Sequence, residues 1–238
     1  PDVIIRCLDK SGTSMAVAPS RHALAFLGRM MFKKPFVFTP TDCGGFIRSH
    51  PDEPIPDLQL QFAAIRMQPH GRGLSTSMRS GFVLHICHLR PESRGKVMLR
   101  SADPFAAPII HAAYFQQEKE LNALVRGVRL ARQILSQPAL RAFHGGEESP
   151  GLALKTDDQL RQWILAHVET VYHTAGTCAM GKNNQAVVDA TLKVHGVDRL
   201  RVIDSSIMPT ITGSNIHAPT VMIAEKGADM ILTHGKIV

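Results

Sequence analysis

The 238-residue sequence is poor in the rings that stack on bases: one Trp and two Tyr, against ten Phe. That shortage weighs against nucleic-acid binding in spite of a net charge of +7, because single strands are held by stacking as well as by charge. The bases are also scattered. Lys33 and Lys34 form the tight pair, and Arg126, Arg129 and Arg132 recur at a helical spacing that predicts a solvated polar face. No nucleic-acid partner is expected. Cysteine is scarce too. Cys7, Cys43, Cys87 and Cys178 form no C-x-x-C, which excludes the common zinc and thiol-redox motifs and predicts free thiols in a reducing cytoplasm. In His85-Ile86-Cys87-His88, strand geometry puts His85 and Cys87 on one face and His88 on the other, so no metal is expected. No apolar run approaches the ~20 residues that span a bilayer. The start, Pro1-Asp2-Val3, lacks the basic and apolar regions of a signal peptide, and with no initiator Met the chain is expected to be a piece of something longer. A G-x-G-x-x-G phosphate fingerprint is missing throughout.

What is present fits a globular protein: 44% of the residues are apolar and 20% charged. Residues 1–40 combine a short apolar run with a helical pattern at 22–31, and Gly44-Gly45 punctuates the chain. From Asp57 the period becomes two: Leu58, Leu60 and Phe62 alternate with Gln59, Gln61 and Ala63, as in a half-buried strand. A loop is expected at 69–80. Strands are expected at 81–90 and 96–101, joined through Pro91-Glu92-Ser93-Arg94-Gly95 into a hairpin. A helix follows at 116–136, with Leu121, Leu124, Val125, Val128, Ala131, Ile134 and Leu135 at helical spacing and Pro138 beyond its end. Thr156-Asp157-Asp158-Gln159 is a capping-box pattern that opens another, with Leu160, Trp163 and Ile164 on one side. Short β segments are expected at 187–188 and 200–203. The last helix, at 220–233 with Pro219 in its first turn and Gly235 as cap, is apolar on so many sides that it calls for burial on more than one. Strands followed by helices, without β-α-β alternation, predict an α+β fold with an antiparallel sheet backed by helices.

Two histidines stand in rigid turns near the C-terminus. His173 precedes Thr174-Ala175-Gly176-Thr177-Cys178, and His217 lies in Asn215-Ile216-His217-Ala218-Pro219-Thr220. Imidazole takes and returns a proton near neutral pH, so the pair suggests an acid/base couple beside the end of a helix whose free N–H groups favour negative charge. Each histidine on its own is also explained as a cap, His173 of a loop backbone and His217 of the final helix. Asp204, Ser205 and Ser206 with His173 raise a hydrolase reading that the lack of a G-x-S-x-G elbow weakens. Cys178 is expected to be a small buried apolar residue.

At these residues the chain resembles the C-terminal half of the glucose-methanol-choline (GMC) family of FAD-dependent oxidoreductases. The matching phrases are HTAGTCAMG at 173–181, VVD at 187–189, VHGVDRLRVIDSSIMP at 194–209 and HAPTVMIAE at 217–225. GFIR at 45–48, LRPESRGKV at 89–97 and QPAL at 137–140 lie upstream. The resemblance implies a substrate-binding domain at 1–172, with 1–40 a lid or connecting segment. It further implies an active-site segment at 173–238 that would complete an FAD-binding domain. It gives His173 the role of acid/base and His217 that of its partner, and it lines the flavin with Asp204, Ser205, His217, Ala218, Pro219 and Thr220. The implied reaction is oxidation of a primary alcohol, choline-like or neutral, to an aldehyde. FAD would be held by the full-length protein and not by this piece, which lacks the ADP fingerprint and would be inactive alone. The few aromatics favour a neutral alcohol, since a trimethylammonium group calls for an aromatic wall. The implied partners are the alcohol, the N-terminal FAD domain of the same polypeptide, and a second copy through exposed apolar surface. Localisation would be cytoplasmic, with membrane association only through an electron acceptor. The alternative is a non-catalytic binding or association module. Thr212-Gly213-Ser214-Asn215 departs from the family's more usual Pro-Ser-Gly-Asn.

Overall fold

The structure is a computed structural model that describes residues 1–11, 43–64 and 81–234. The helical pattern at 22–31, the loop at 69–80 and the Gly235 cap lie outside the described residues. The chain divides into two compact units, Pro1–His88 with Gln117–Val171, and Leu89–Gln116 with Tyr172–Val238.

The first unit is a five-stranded antiparallel sheet carrying two helices. Its strands are β1 (Asp2–Asp9), β2 (Cys43–Ile47), β3 (Leu58–Ala63), β4 (Gly81–His88) and β7 (His144–Ser149), in the order β2-β3-β4-β1-β7. The α+β class expected from the sequence is what forms. β3 keeps its period of two through Gln61, with Leu58 and Leu60 buried and Gln59 and Gln61 half-buried, but its end departs from it, with Phe62 half-buried and Ala63 buried. Pairing of Leu60 with Ile86 and of Val3 with Ile86 puts Leu58, Leu60, Leu84, Ile86, Val3 and Ile5 on one face. Helix α1 (Glu118–Leu135) presses Leu121, Leu124, Val125 and Val128 into this core, and α2 (Asp157–His167) contributes Leu160 and Ile164. The capping box forms as the sequence predicts, with the Thr156 side chain and the Gln159 side chain each taking the other's backbone N–H.

Two expectations fail, each because the true partner is distant in sequence. The 81–90 and 96–101 hairpin does not form. Both edges of β4 are taken by β1 and β3, and β5 (Lys96–Met98) instead pairs with β6 (Ile109–His111) in the second unit. Nor do the three α1 arginines make a solvated face. Arg132 donates to both carboxylate oxygens of Glu147, at 2.8 and 3.0 Å, and to the carbonyls of Leu154 and Gly151. Arg129 pairs with Asp157 and Arg126 donates to Ser49 Oγ. On the other face of β4, His85 Nδ1 and the Cys87 thiol both bond the buried carboxylate of Asp2, at 2.8 and 3.4 Å, and no metal-ligating cluster occurs among the described residues.

α1 approaches the sheet at Gly127. A Cβ there would lie 2.7 Å from Ile86 Cγ2 and 3.0 Å from Leu58 Cδ1. Ala ordinarily gains about 0.5–1 kcal/mol over Gly inside a helix, but overpacking costs about 1–3 kcal/mol. Gly127→Ala is therefore expected to lower the urea midpoint, and a raised midpoint would show that α1 has room to move.

His88, at the end of β4, has its imidazole pushed down to about 4 by burial, against the pull of Glu120, and its Nδ1 is buried without a hydrogen-bond partner among the described residues. From about 6.5 down to about 4 the unfolded chain then binds the proton that the folded chain refuses. Stability therefore rises with pH across that window and is lost as the pH falls through it, by on the order of 3 kcal/mol. His88→Gln is expected to flatten that slope in urea titrations between the two limits; an unchanged slope would assign the acid sensitivity elsewhere.

The second unit has little regular structure before its last helix. The β segments expected at 187–188 and 200–203 appear as isolated bridges, Met180 with Val188, Val188 with Val194 and Lys193 with Arg201. Val188, Leu192, Ile207, Met208, Ile216 and Ile223 form its core. α3 (His217–His234) starts three residues earlier than the sequence suggests, with Pro219 in the first turn, where a missing N–H costs no helical bond. It buries Ile223 and Gly227 and leaves Val221, Met222, Ile231 and Leu232 between 46% and 68% exposed. No helix among the described residues is long and apolar enough to cross a membrane.

Candidate functional site

Local backbone in the second unit builds the site around His173. Tyr172 is held at φ 60°, a left-handed conformation costly for a bulky residue, and Gly176 at φ 91° turns the chain back. Only glycine adopts the second angle without strain, and a Cβ there would also come within 3.1 Å of the Met208 carbonyl. The segment that follows is tied to the chain around residue 206: Cys178 N–H donates to the Ser206 carbonyl at 2.9 Å and Met180 N–H to that of Ile207 at 2.8 Å. Cys178 is half-buried rather than buried. These bonds place His173 in one unit with the 3₁₀ turn Ser205–Ile207, which Asp204 caps by accepting from Ser206 N–H at 2.8 Å. Asp204 is exposed and Ser205 half-buried.

The His173 ring is half-buried, and its Nε2 lies 2.6 Å from the amide nitrogen of Asn215. Burial lowers its pKa, and a hydrogen bond with the Tyr172 backbone works in the opposite direction. The net shift leaves a neutral ring at neutral pH, the form that takes a proton.

His217 is the first residue of α3 and is exposed. Ala218 beside it is also exposed, and Pro219 and Thr220 are half-buried. Thr220 N–H and Oγ1 both bond the Ile216 carbonyl, at 3.0 and 2.6 Å, which locks the first turn. The structure thus brings Asn215, two residues before His217, onto His173.

Sequence reasoning named His217 and passed over Asn215, which reads there as a turn or capping residue. The available signal was its place in the same rigid Gly-Ser-Asn turn. Arg90 was also missed. Its guanidinium packs over Gly213, where a Cβ would lie 2.5 Å from Nη2, so the loop that carries Asn215 is covered by a cation.

Comparison with known proteins gives the family of the chain. The sequence model of the GMC oxidoreductase family matches residues 91–224. The alcohol dehydrogenase [acceptor] of Pseudomonas putida is 36% identical over 235 residues, 97% of this chain and 42% of that protein. The oxygen-dependent choline dehydrogenase of Chromohalobacter salexigens is 43% identical over 187 residues, 79% of this chain and 33% of its own length. The chain therefore spans less than half of either relative. Among solved structures, the formate oxidase of Aspergillus oryzae superposes with a TM-score of 0.85 over 99% of this chain and 46% of its own, at 24% identity, a likeness of fold.

Proposed function

Because the chain belongs to the GMC oxidoreductase family, whose members use FAD, we propose that it is the C-terminal, substrate-side part of an FAD-dependent enzyme that oxidises a primary alcohol to an aldehyde. The observation that carries this is the neutral, half-buried His173 with Nε2 against Asn215. In this reading residues 1–172 serve substrate binding and 173–238 the active site.

The residues present suit the redox end of a flavin. Asp204 is exposed and Ser205 half-buried at their turn, and the first N–H groups of α3, at His217 and Ala218, have no earlier helical turn to bond. The G-x-G-x-x-G element for the ADP end does not occur in residues 1–238. Asp204, Ser205, His217, Ala218, Pro219 and Thr220 would hold the ring, and the ADP end would rest on the N-terminal part of the full polypeptide. When bound, FAD supplies the acceptor for the carbon-bound hydride. His173 supplies the lone pair that takes the hydroxyl proton, with the alcohol oxygen replacing the Asn215 amide at Nε2. His217 hydrogen-bonds the same oxygen and orients it. The positive end of α3 favours the negative charge that accumulates nearby. The alcohol loses one proton and one hydride and leaves as the aldehyde, so the balance closes.

The exposed Val221, Met222, Ile231 and Leu232 of α3, together with Leu99 and Phe105, support a protein surface as covering partner. The FAD domain of the same polypeptide is the occupant this reading assigns, and a second copy is the other. The same exposed face favours the second reading, in which the isolated chain is an association module without catalysis. Purifying the full polypeptide and the 238-residue piece side by side separates the two. The full polypeptide is expected to be yellow and to make aldehyde from neutral primary alcohols faster than from choline, and the piece to be colourless and inactive. A colourless full polypeptide without aldehyde formation would favour the module.

A further inference from the structure

We propose that a gap in the edge of β1, at Ile4, is a binding site for a small planar amide that presents an N–H and a C=O side by side, as a lactam or a primary carboxamide does. The site belongs to the first unit, and it stands or falls apart from the reading of His173.

Backbone groups alternate along a strand, so β1 bonds β4 through its odd residues and the opposite side through its even ones. The observed bonds follow that order. The Pro1 carbonyl accepts from His88 N–H at 3.0 Å, whereas Asp2 and Glu169 each donate an N–H to the other's carbonyl, both at 3.0 Å. Further along the same side, Arg6 pairs with Ser149 of β7. Ile4 lies between Asp2 and Arg6, so its N–H and C=O face that side as well. No described residue bridges it there, because β7 begins its pairing at Arg6 and the bridge at Asp2 is isolated. Backbone donors and acceptors rarely go unmatched in a folded chain.

A pocket of about 100 Å³ adjoins this gap, lined by Ile4, Arg6 and Ser149 from the sheet and by Trp163, Ala166 and Glu169 from α2 and the segment after it. Trp163 is half-buried and stacks on His167 with ring centroids 5.1 Å apart, which gives the pocket a flat aromatic wall. Arg6 and Glu169 bring both signs of charge, so a neutral polar ring suits the lining better than an ion. The gap also selects against a peptide. It is closed by Ser149 at one end and by Glu169 at the other, so a strand has no room to add. An amide with N–H and C=O on one edge meets the C=O and N–H of Ile4 with a pair of bonds. The volume limits the occupant to a single small ring, since a closed cavity of about 150 Å³ is what holds benzene.

Trp163 is the one Trp of the chain, so its fluorescence reports on this pocket alone. The 238-residue chain is titrated with 2-pyrrolidinone and with N-methyl-2-pyrrolidinone, which keeps the carbonyl and lacks the N–H. The first is expected to change the Trp163 emission along a saturating curve. The second is expected to need at least about tenfold more ligand, the usual effect of a lost hydrogen bond that leaves an acceptor stranded. Ala166 is exposed on α2, so Ala166→Phe crowds the pocket without entering the core, and it is expected to abolish the response at an unchanged melting temperature. Hydrogen exchange in ¹⁵N-isoleucine-labelled chain reads the gap itself. The Ile4 amide is expected to exchange at least about tenfold faster than that of Ile5, which faces β4, and to slow in saturating 2-pyrrolidinone. An Ile4 amide as protected as that of Ile5 would overturn the proposal. So would the lack of a saturating response, equal responses to the two lactams, or a response that survives in Ala166→Phe. If Ala166→Phe fails to fold, the exchange rates and the pair of lactams decide on the wild-type chain.

Discussion

Replacing His173 by Ala in the flavin-loaded full polypeptide is expected to slow reduction of the flavin by alcohol by about 10²–10⁴-fold, the usual worth of a positioned acid/base. Two features of the site set this expectation. The ring is neutral at neutral pH because burial lowers its pKa, so it is ready to accept a proton at the pH where the hydroxyl is fully protonated. It is also held, with Tyr172 at φ 60° and Gly176 at φ 91° on either side and Asn215 on Nε2. A small replacement removes the acceptor without disturbing the core, since His173 is not among the buried residues of the second unit. Flavin binding should therefore persist while its anaerobic reduction slows. A His173→Ala protein that is reduced at nearly the wild-type rate would remove the base from this site.

Arg132→Met is expected to have the largest effect on stability, about 3–5 kcal/mol. Arg132 meets Glu147, whose side chain is 2% exposed, through two oxygens, and its remaining N–H groups hold the carbonyls of Leu154 and Gly151. Removing the cation leaves a carboxylate buried without its counter-charge, and that isolated charge, more than the lost attraction, dominates the cost. The control is the double variant Arg132→Met with Glu147→Leu. It should recover a large part of the loss, because two apolar groups of similar size leave no charge behind. Urea unfolding of the three proteins decides the matter. A single variant within about 0.5 kcal/mol of wild type would show that Glu147 finds water or another cation, and that this pair behaves as an exposed one.

Features written in neighbouring residues were legible in the sequence. Thr156 and Gln159 lie three apart and declare the capping box of α2, and the apolar stripe from Leu121 to Leu135 gives α1 nearly to the residue. β3 shows its buried face because its other face is polar. β1 does not, since Asp2, Val3 and Ile5 are all buried in a strand flanked by β4 and β7, which leaves no polar alternation to read. Partner choice was equally hidden. The alternation in β4 marks a strand but not its neighbours, so the adjacent 96–101 segment looked like the other half of a hairpin. The same distance problem hid Arg132 with Glu147, and it hid Asn215, whose bond to His173 spans 42 positions. The phrases at 173–181 and 217–225 gave the family, while the contact between their surroundings came only with the fold.

The most direct test of the central assignment is anaerobic mixing of the full polypeptide with a neutral primary alcohol and with the same alcohol deuterated at its hydroxyl-bearing carbon, while the oxidised-flavin absorbance is followed. The account predicts that the absorbance bleaches, that the deuterated alcohol bleaches it several-fold more slowly, and that the aldehyde appears in step. A protein that carries flavin, and whose flavin no alcohol bleaches, would contradict it.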